Sequence, residues 1–298
     1  MLTMVNRPTV TVIIVTHNSA SHLPQCIDAV YKSARQLVSQ IIVVDNASSD
    51  QTPQVAAQFD GVCVIRCDTN IGYGAANNIG LKHTRGKYTL LLNPDVFLQP
   101  GCLHKLVDVL EQGDHIAGAG PKLYRPDGSL DLAARRSFPT PLSGFFRVIG
   151  LSKRFPNSRI FAAYNVGAES PDEFQEIDSG TGACMLLRTE VLKDLGGFDD
   201  DYFMYGEDLD LCYRIKQKGW KIVYVPDAMA VHIKGHASNK EWRQMLKEFH
   251  RSMWIFYRKH YYDRYPKIIS LLVFVGVWLR YLLLLLINRL RRSPRVVG

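Results

Sequence analysis

Apolar residues near the N-terminus fall in short, nearly unbroken runs: Thr9–Thr16, Gln40–Val44, Val62–Arg66 and Tyr88–Leu92. Runs of this length without alternation suit strands buried on both faces of a parallel sheet. Between them lie stretches that read as helices: about Ser21 to Leu37, Asp50 to Phe59 with Ser49 or Asp50 able to cap it, and from Asn70–Asn78 to near Thr84. Strands alternating with helices predict a mostly parallel α/β sheet with right-handed crossovers. A helix over about Gly101–Gln112 and a strand over about Ile116–Pro121 continue it, and Trp220–Val225 and Met229–Ile233 read as two further short strands. Residues 124–178 have no clear period and are too long for an idle connection, so a working loop or lid is expected there. From Asn239 an aromatic and basic helix runs to about His260, and Pro266 begins another whose segment Ile268–Ile287 is apolar except for Ser270 and Arg280.

Composition narrows this picture. A chain of 298 residues, 47% hydrophobic and 21% charged, is folded and large enough for one large domain with an appendage. The six cysteines show no metal-type pairing and read as small core residues, and no signal peptide is visible at the N-terminus. Charge is uneven: residues 235–298 hold 13 Lys/Arg against 3 Asp/Glu, leaving 23 against 25 for the rest. The basic excess belongs to the tail, and no nucleic-acid partner is expected for the body.

Candidate chemistry collects where strands end. His17, Asp45, Asn46, Asn70 and Asp95 all follow predicted strands, the edge at which open α/β sheets bind ligands. Taken singly, each has a structural alternative. Asp45-Asn46 and Asn93-Pro94-Asp95 could be tight turns, and the Gly72–Gly74 turn lacks the third glycine of a dinucleotide fingerprint. At consecutive strand ends they point to one site. A second cluster, Glu207, Asp208 and Asp210, opens a helix running to about Lys218, where acidic residues also serve as caps. Helical phase places Asp208 on one face with Leu211, Cys212 and Ile215. Asp210 lies off that face, four residues before Arg214, a spacing suited to a surface ion pair.

The ordered motifs Val-Thr-His-Asn, Val-Val-Asp-Asn-Ala-Ser-Ser-Asp, Asn-x-Gly-x-Gly-x-Ala-Asn-Asn, Leu-Leu-Asn-Pro-Asp and Gly-Glu-Asp-x-Asp-Leu-Cys-x-Arg resemble the inverting family 2 glycosyltransferases with the GT-A fold, most of all bacterial rhamnosyltransferases that extend lipid-linked glycans. The resemblance covers roughly residues 9–236. It implies that Thr16, Asn18, Asp45, Asn46, Asn70, Gly72, Gly74, Asn77, Asn93 and Asp95 serve the nucleotide sugar, with Asp45 on the base. It implies that Asp95, joined by His232, holds Mg2+ or Mn2+ on the diphosphate, and that Asp208 is the general base with Glu207 helping to orient. Gly180, Thr181, Gly182 and Tyr205 would meet donor sugar or acceptor; the aromatic segment Tyr202–Tyr205 would wall the site or serve as ordinary core. The family's metal motif is often Asp-x-Asp, and Asn93 departs from it. The chemistry suits these groups: a carboxylate takes the acceptor proton, and an oxygen-loving divalent cation neutralises the departing diphosphate.

The resulting expectation is a GT-A glycosyltransferase domain over residues 1–236, with a nucleotide-binding half (1–100) and an acceptor half (101–236), followed by a basic, apolar helical tail (237–298). The expected reaction moves L-rhamnose from dTDP-rhamnose to a polyprenyl-diphosphate-linked glycan. Alternatives are a UDP-hexose donor and a non-catalytic glycan-binding subunit; an oxidoreductase is disfavoured by the incomplete glycine fingerprint. Arg135 and Arg136 would meet a phosphate or form a solvated turn. Ile268–Ile287 just matches a bilayer, yet Arg280 would sit in hydrocarbon and basic residues flank both ends, so the tail is expected to lie on the cytoplasmic face of a bacterial inner membrane.

Overall fold

The computed structural model describes residues 9–155, 158–161, 164, 169–233, 242–291 and 296. The expected start of the tail helix at Asn239, and residues 236 and 237 between body and tail, lie outside these.

Four apolar strands, β1 (Val10–Thr16), β2 (Val38–Asp45), β3 (Val62–Arg66) and β4 (Tyr88–Leu92), form the parallel half of one sheet, in the order β3-β2-β1-β4. Helices α1 (Leu23–Ala34), α2 (Thr52–Ala56) and α3 (Tyr73–Lys82) make the crossovers. β1 and β4 are buried along their whole length, as expected of apolar runs covered on both sides.

Beyond β4 the sheet changes character. After β5 (Val96–Leu98), α4 (Cys102–Gln112) and β6 (Ile116–Tyr124), the sheet continues through β8 (Cys184–Arg188), antiparallel to both β4 and β6. The fold is therefore a mixed α/β sheet of the GT-A kind, parallel on one side and interrupted by an antiparallel strand. What reads as two strands near residue 225 is one, β9 (Lys221–His232). It pairs parallel with β6, and the register slips between Pro121 and Lys122 so that Val225 and Met229 face consecutive partners. Its other edge is shared by β7 (Gln175–Ile177) and β5.

The 124–178 stretch is more ordered than its sequence pattern predicts. It holds α5 (Pro141–Val148) and α6 (Leu151–Arg154), and a capping box between Thr140 and Ser143 starts α5. After α7 (Thr189–Asp194), helix α8 (Glu207–Gln217) follows Gly206.

Helix α8 is buried on more than one face. Leu211, Cys212 and Ile215 enter the main core, whereas Leu209 and Tyr213 join a second cluster with Ile255, Phe256 and Tyr257 of α9 (Trp242–His260). That second cover corrects the expected surface pair. Asp210 is fully buried, accepting from Arg214 Nε at 2.7 Å and from His260 Nε2 at 2.8 Å. Tyr202 belongs to the same cluster and is core rather than a wall of the site.

Helix α10 (Lys267–Leu290) packs along α9 and is long and apolar enough to cross a membrane. Ser270 and Arg280, which interrupt its apolar stretch, face inward. Ser270 bonds Tyr257 Oη at 2.9 Å, and Arg280 Nη1 donates to His250 Nε2 at 2.8 Å. Most of its leucines, among them Leu272, Leu279 and Leu286, are exposed. The arginine that counts against this helix in the sequence thus leaves the outward face apolar.

Candidate active site

The strand ends converge as the alternation requires, but most of their polar groups hold one another. Asp45 is fully buried at the end of β2, opposite Thr16 of β1. Its carboxylate accepts from Thr16 Oγ1 at 3.4 Å and Ser48 N at 3.3 Å, and lies 3.8 Å from the exposed Arg66 guanidinium. Asn46 donates to Asn70 Oδ1 at 2.9 Å and to Gly72 O at 3.1 Å, and accepts from Ile71 N at 2.9 Å. Asn18, in the left-handed region at φ 52°, accepts through Oδ1 from the backbone N–H groups of Ser49 and Asp50. These asparagines staple three strand-end loops into one rigid rim.

Gly72 has a structural reason to be glycine. At φ 90° its missing side chain makes room for the Phe203 carbonyl, which an added Cβ would meet at 2.2 Å and which accepts from Tyr73 N at 3.0 Å. Gly74 packs against Phe198, so this turn joins α3 to the 198–206 segment. Asn78 makes the same join, accepting from Phe198 N and donating to Phe198 O, each at 2.8 Å. Asn77 is buried and donates to Tyr73 O, while its Oδ1 has no protein partner among the described residues.

Past β4 further unpaired groups appear. Asn93 Oδ1 is buried without a partner among the described residues, although its backbone N–H donates to Ala183 O at 2.8 Å. Asp95 lies beside it in sequence, its Oδ1 3.5 Å from His232 Nε2. The other imidazole nitrogen, His232 Nδ1, donates to Asp131 Oδ2 at 3.0 Å. Burial opposes charge on His232, but the Asp131 and Asp95 carboxylates outweigh it and raise its pKa. Asp131 is an element that sequence reasoning missed, because a turn aspartate more than a hundred positions away carries no local signal.

A divalent cation fits this donor set. The buried, unpartnered amide oxygen of Asn93 and the carboxylate of Asp95 are hard oxygen donors, and His232 is oriented by a carboxylate in the manner of metal-bound histidines. Among the described residues no three His, Cys, Asp or Glu side chains are arranged to hold a metal ion by themselves. A cation here would therefore rely on substrate oxygens, as Mg2+ commonly does at phosphates.

The loop between β7 and β8 links this end to the carboxylate pair. Gly182 N donates to Asp208 Oδ2 at 3.1 Å, and an added Cβ at Gly182 would meet Tyr73 at 3.3 Å and Asp208 Cβ at 3.4 Å. Thr181 Oγ1 accepts from Ala183 N, and Tyr73 Oη donates to Gly182 O at 2.7 Å. Arg136 completes the group. Its backbone pairs with Ser179 in both directions at 2.9 Å, and its guanidinium bonds Gly180 O and, at 2.6 Å, Asp208 Oδ2. Neither basic residue is a solvated turn: Arg136 meets a carboxylate, and Arg135 is buried over the Tyr224 ring. Burial would lower the Arg136 pKa, but the Asp208 charge outweighs it and raises it.

Glu207 and Asp208 are adjacent and differ sharply. Asp208 accepts from Arg136, Gly182 N and Leu209 N. Glu207 Oε2 is buried with no partner among the described residues. Burial first, and then the Asp208 charge, push Glu207 up to about 8. Tyr205, at φ 69°, stacks edge-on against Phe249 of α9, with ring centroids 5.6 Å apart.

The family model described as glycosyl transferase family 2 matches residues 11–196. The chain is 32% identical over 257 residues to the N-acetylglucosaminyl-diphospho-decaprenol L-rhamnosyltransferase of Mycobacterium tuberculosis, covering 82% of both chains. It is 29% identical over 255 residues to the rhamnosyltransferase WbbL of Escherichia coli, covering 80% of this chain and 90% of that protein. Among solved structures it resembles GalNAc-T7 with UDP, GalNAc and Mn2+ (TM-score 0.62, 20% identity), covering 86% of this chain and only 50% of that one. It also resembles the mannosyltransferase PcManGT of Pyrobaculum calidifontis with GDP-Man and Mn2+ (TM-score 0.59, 18% identity), covering 92% of this chain and 70% of that one. At such identities these two likenesses are of fold.

Proposed function

Because the chain belongs to the family 2 glycosyltransferases, we propose that it transfers L-rhamnose from dTDP-rhamnose to a polyprenyl-diphosphate-linked glycan, with inversion at the anomeric carbon. The observation that carries this reading is the loop at residues 180–183, which ties Asp208 to the Asn93–Asp95 turn through Gly182 and Ala183. The two curated relatives supply the sugar, and the mycobacterial one the lipid-linked acceptor class.

Asp208 is the general base. A carboxylate offers about four acceptor positions, and three are taken by Arg136, Gly182 N and Leu209 N. The one left can receive the acceptor hydroxyl. As that hydroxyl attacks the anomeric carbon its proton passes to Asp208, the carbon–phosphate-oxygen bond breaks, and dTDP leaves with the bonding electrons. Glu207, held neutral below about pH 8, keeps a second negative charge away from the departing diphosphate. Asp95, His232 and the Asn93 amide oxygen would hold Mg2+ or Mn2+, which when bound neutralises charge on the leaving group. Asp45 and its rim of asparagines receive the nucleotide, with Gly180, Thr181 and Tyr205 toward the sugars.

The exposed apolar face of α10, between basic ends at Lys267 and Arg289, suits a helix lying in an anionic membrane interface. We place the enzyme by this helix on the cytoplasmic face of the bacterial inner membrane.

The test is release of nucleotide from a panel of sugar nucleotides by purified protein with bacterial lipid extract and Mn2+. Turnover with dTDP-rhamnose above all others is the expected result. Preference for a UDP-hexose would replace the donor assignment, and binding without release from any donor would favour a glycan-binding subunit.

A further inference from the structure

The 124–178 stretch touches the candidate site through Asp131 and Arg136, and its middle is built for something else. Between Asp131 and Glu169 the sequence holds six lysines and arginines and no acid. Arg135 and Arg136 turn into the body, so the other four, Arg147, Lys153, Arg154 and Arg159, fall on or just after α5 and α6.

Helix α5 is well formed in spite of its length. Pro141 stands at its first position and the Thr140–Ser143 capping box satisfies its start. Phe146 packs edge-on against Phe161 with ring centroids 4.9 Å apart, and Phe155 lies 5.6 Å from the same ring. That packing leaves another side of α5 outward. Leu142, Phe145 and Ile149, at offsets of three and seven, share one stripe, and they are 59%, 56% and 51% exposed. Phe155 and Ile160 continue the apolar surface, interleaved with the exposed Arg154 and Arg159. A helix meant to face water carries polar residues on its outer stripe, so this one marks a contact surface.

Two observations choose the partner. The first is charge. An isologous pairing of two such faces would set basic residues against basic residues, with no acid in the segment to relieve them. An anionic bilayer complements both the apolar stripe and the arginines. The second is position. Helix α5 begins at Pro141, five residues after Arg136, whose guanidinium bonds Asp208. A chain spans at most about 3.5 Å per residue, so the helix starts within roughly 18 Å of Arg136. The surface therefore adjoins the carboxylate pair.

We propose that the outer face of α5 and α6 is a docking surface for an anionic lipid bilayer, with Leu142, Phe145 and Ile149 in the interface and Arg154 and Arg159 on lipid phosphates. This rests on the membrane placement proposed above and adds a second contact, separate from α10 and beside the site. It turns the acceptor end of the cleft toward the membrane, so that a lipid-linked glycan reaches Asp208 without leaving the bilayer.

The experiment is peptide-level hydrogen exchange of the full chain, alone and with vesicles of phosphatidylcholine or of phosphatidylcholine with phosphatidylglycerol. Anionic vesicles are expected to slow exchange in α5 by roughly tenfold, and neutral vesicles by less. Leu142→Gln with Phe145→Gln, both at exposed positions, should remove that slowing with the melting curve and the protection of α10 unchanged. Arg154→Gln with Arg159→Gln should raise the phosphatidylglycerol needed for it by roughly tenfold. Vesicles that protect α10 and leave α5 unchanged would overturn the surface and spare the placement by α10. Protection of α5 alone would keep the surface and remove the tail from its role, and protection of neither helix would overturn both. Slowing in α5 that grows with protein concentration in the absence of lipid would give the face to a second copy and overturn the proposal.

Discussion

The two ends of the cleft are built on opposite plans. At the nucleotide end Thr16, Asn18, Asp45, Asn46 and Asn70 bond to one another and to nearby backbone, so the rim is satisfied before any ligand arrives. At the proposed acceptor end Glu207 Oε2 is buried without a partner among the described residues, and a guanidinium from a distant loop occupies the proposed base. Buried unpaired polar groups are costly, and a fold tolerates them where a ligand or a proton will use them. The first end is thus a preformed seat, while the second holds its reactive groups in a state that binding must change.

The sharpest way to break that contrast is at Asp208. Asp208→Asn keeps the size and most hydrogen-bonding positions but removes the basic oxygen, and should lower transfer by about a thousandfold or more with nucleotide binding intact. Steady-state kinetics beside a nucleotide titration would check it; retained turnover would remove Asp208 from the base role. Loss of a buried charge tests the scaffold instead. Asp210→Asn leaves Arg214 and His260 without their carboxylate and should cost roughly 3 kcal/mol in a urea melt. Little change would mean that the network is not what seats α8 on α9.

The smallest expected effect on the rate is the most diagnostic. Glu207 is raised in the folded chain from about 4.5 to about 8, so the neutral group's contribution is fully present below about pH 4.5 and is lost as pH rises through about 8. Glu207→Gln should therefore gain stability over the parent as pH rises from 5 to 9, by roughly 4 kcal/mol. It should also keep its activity and lose an alkaline fall near pH 8. If rate instead climbed through pH 8 in the parent and vanished in Glu207→Gln, the base would be Glu207 and not its neighbour.

Much of the nucleotide side is legible in the sequence. Unbroken runs such as Val10–Thr16 and Tyr88–Leu92 are strands, and the polar residues that end them do meet at one edge, because parallel strands joined by helical crossovers must all end on the same side. Less legible are the pieces made by antiparallel insertion. β8 enters between β4 and β6, and β9 reads as two strands because residues 226–228 interrupt its register with β6. Asp210 misleads for a related reason: its own helix phase points it to water, and α9 covers it through His260, 50 residues on.

Taken alone, the amino-acid sequence determined the fold class, the strand-end rim and the carboxylates that open α8, since each is a local matter of period, capping and residue type. Which carboxylate is neutral and which is ion-paired, and where Arg280 hides, only the tertiary structure decided. Those properties depend on burial and on polar or charged groups brought from residues 131, 136 and 250, and neither is encoded within reach of the residue that feels it.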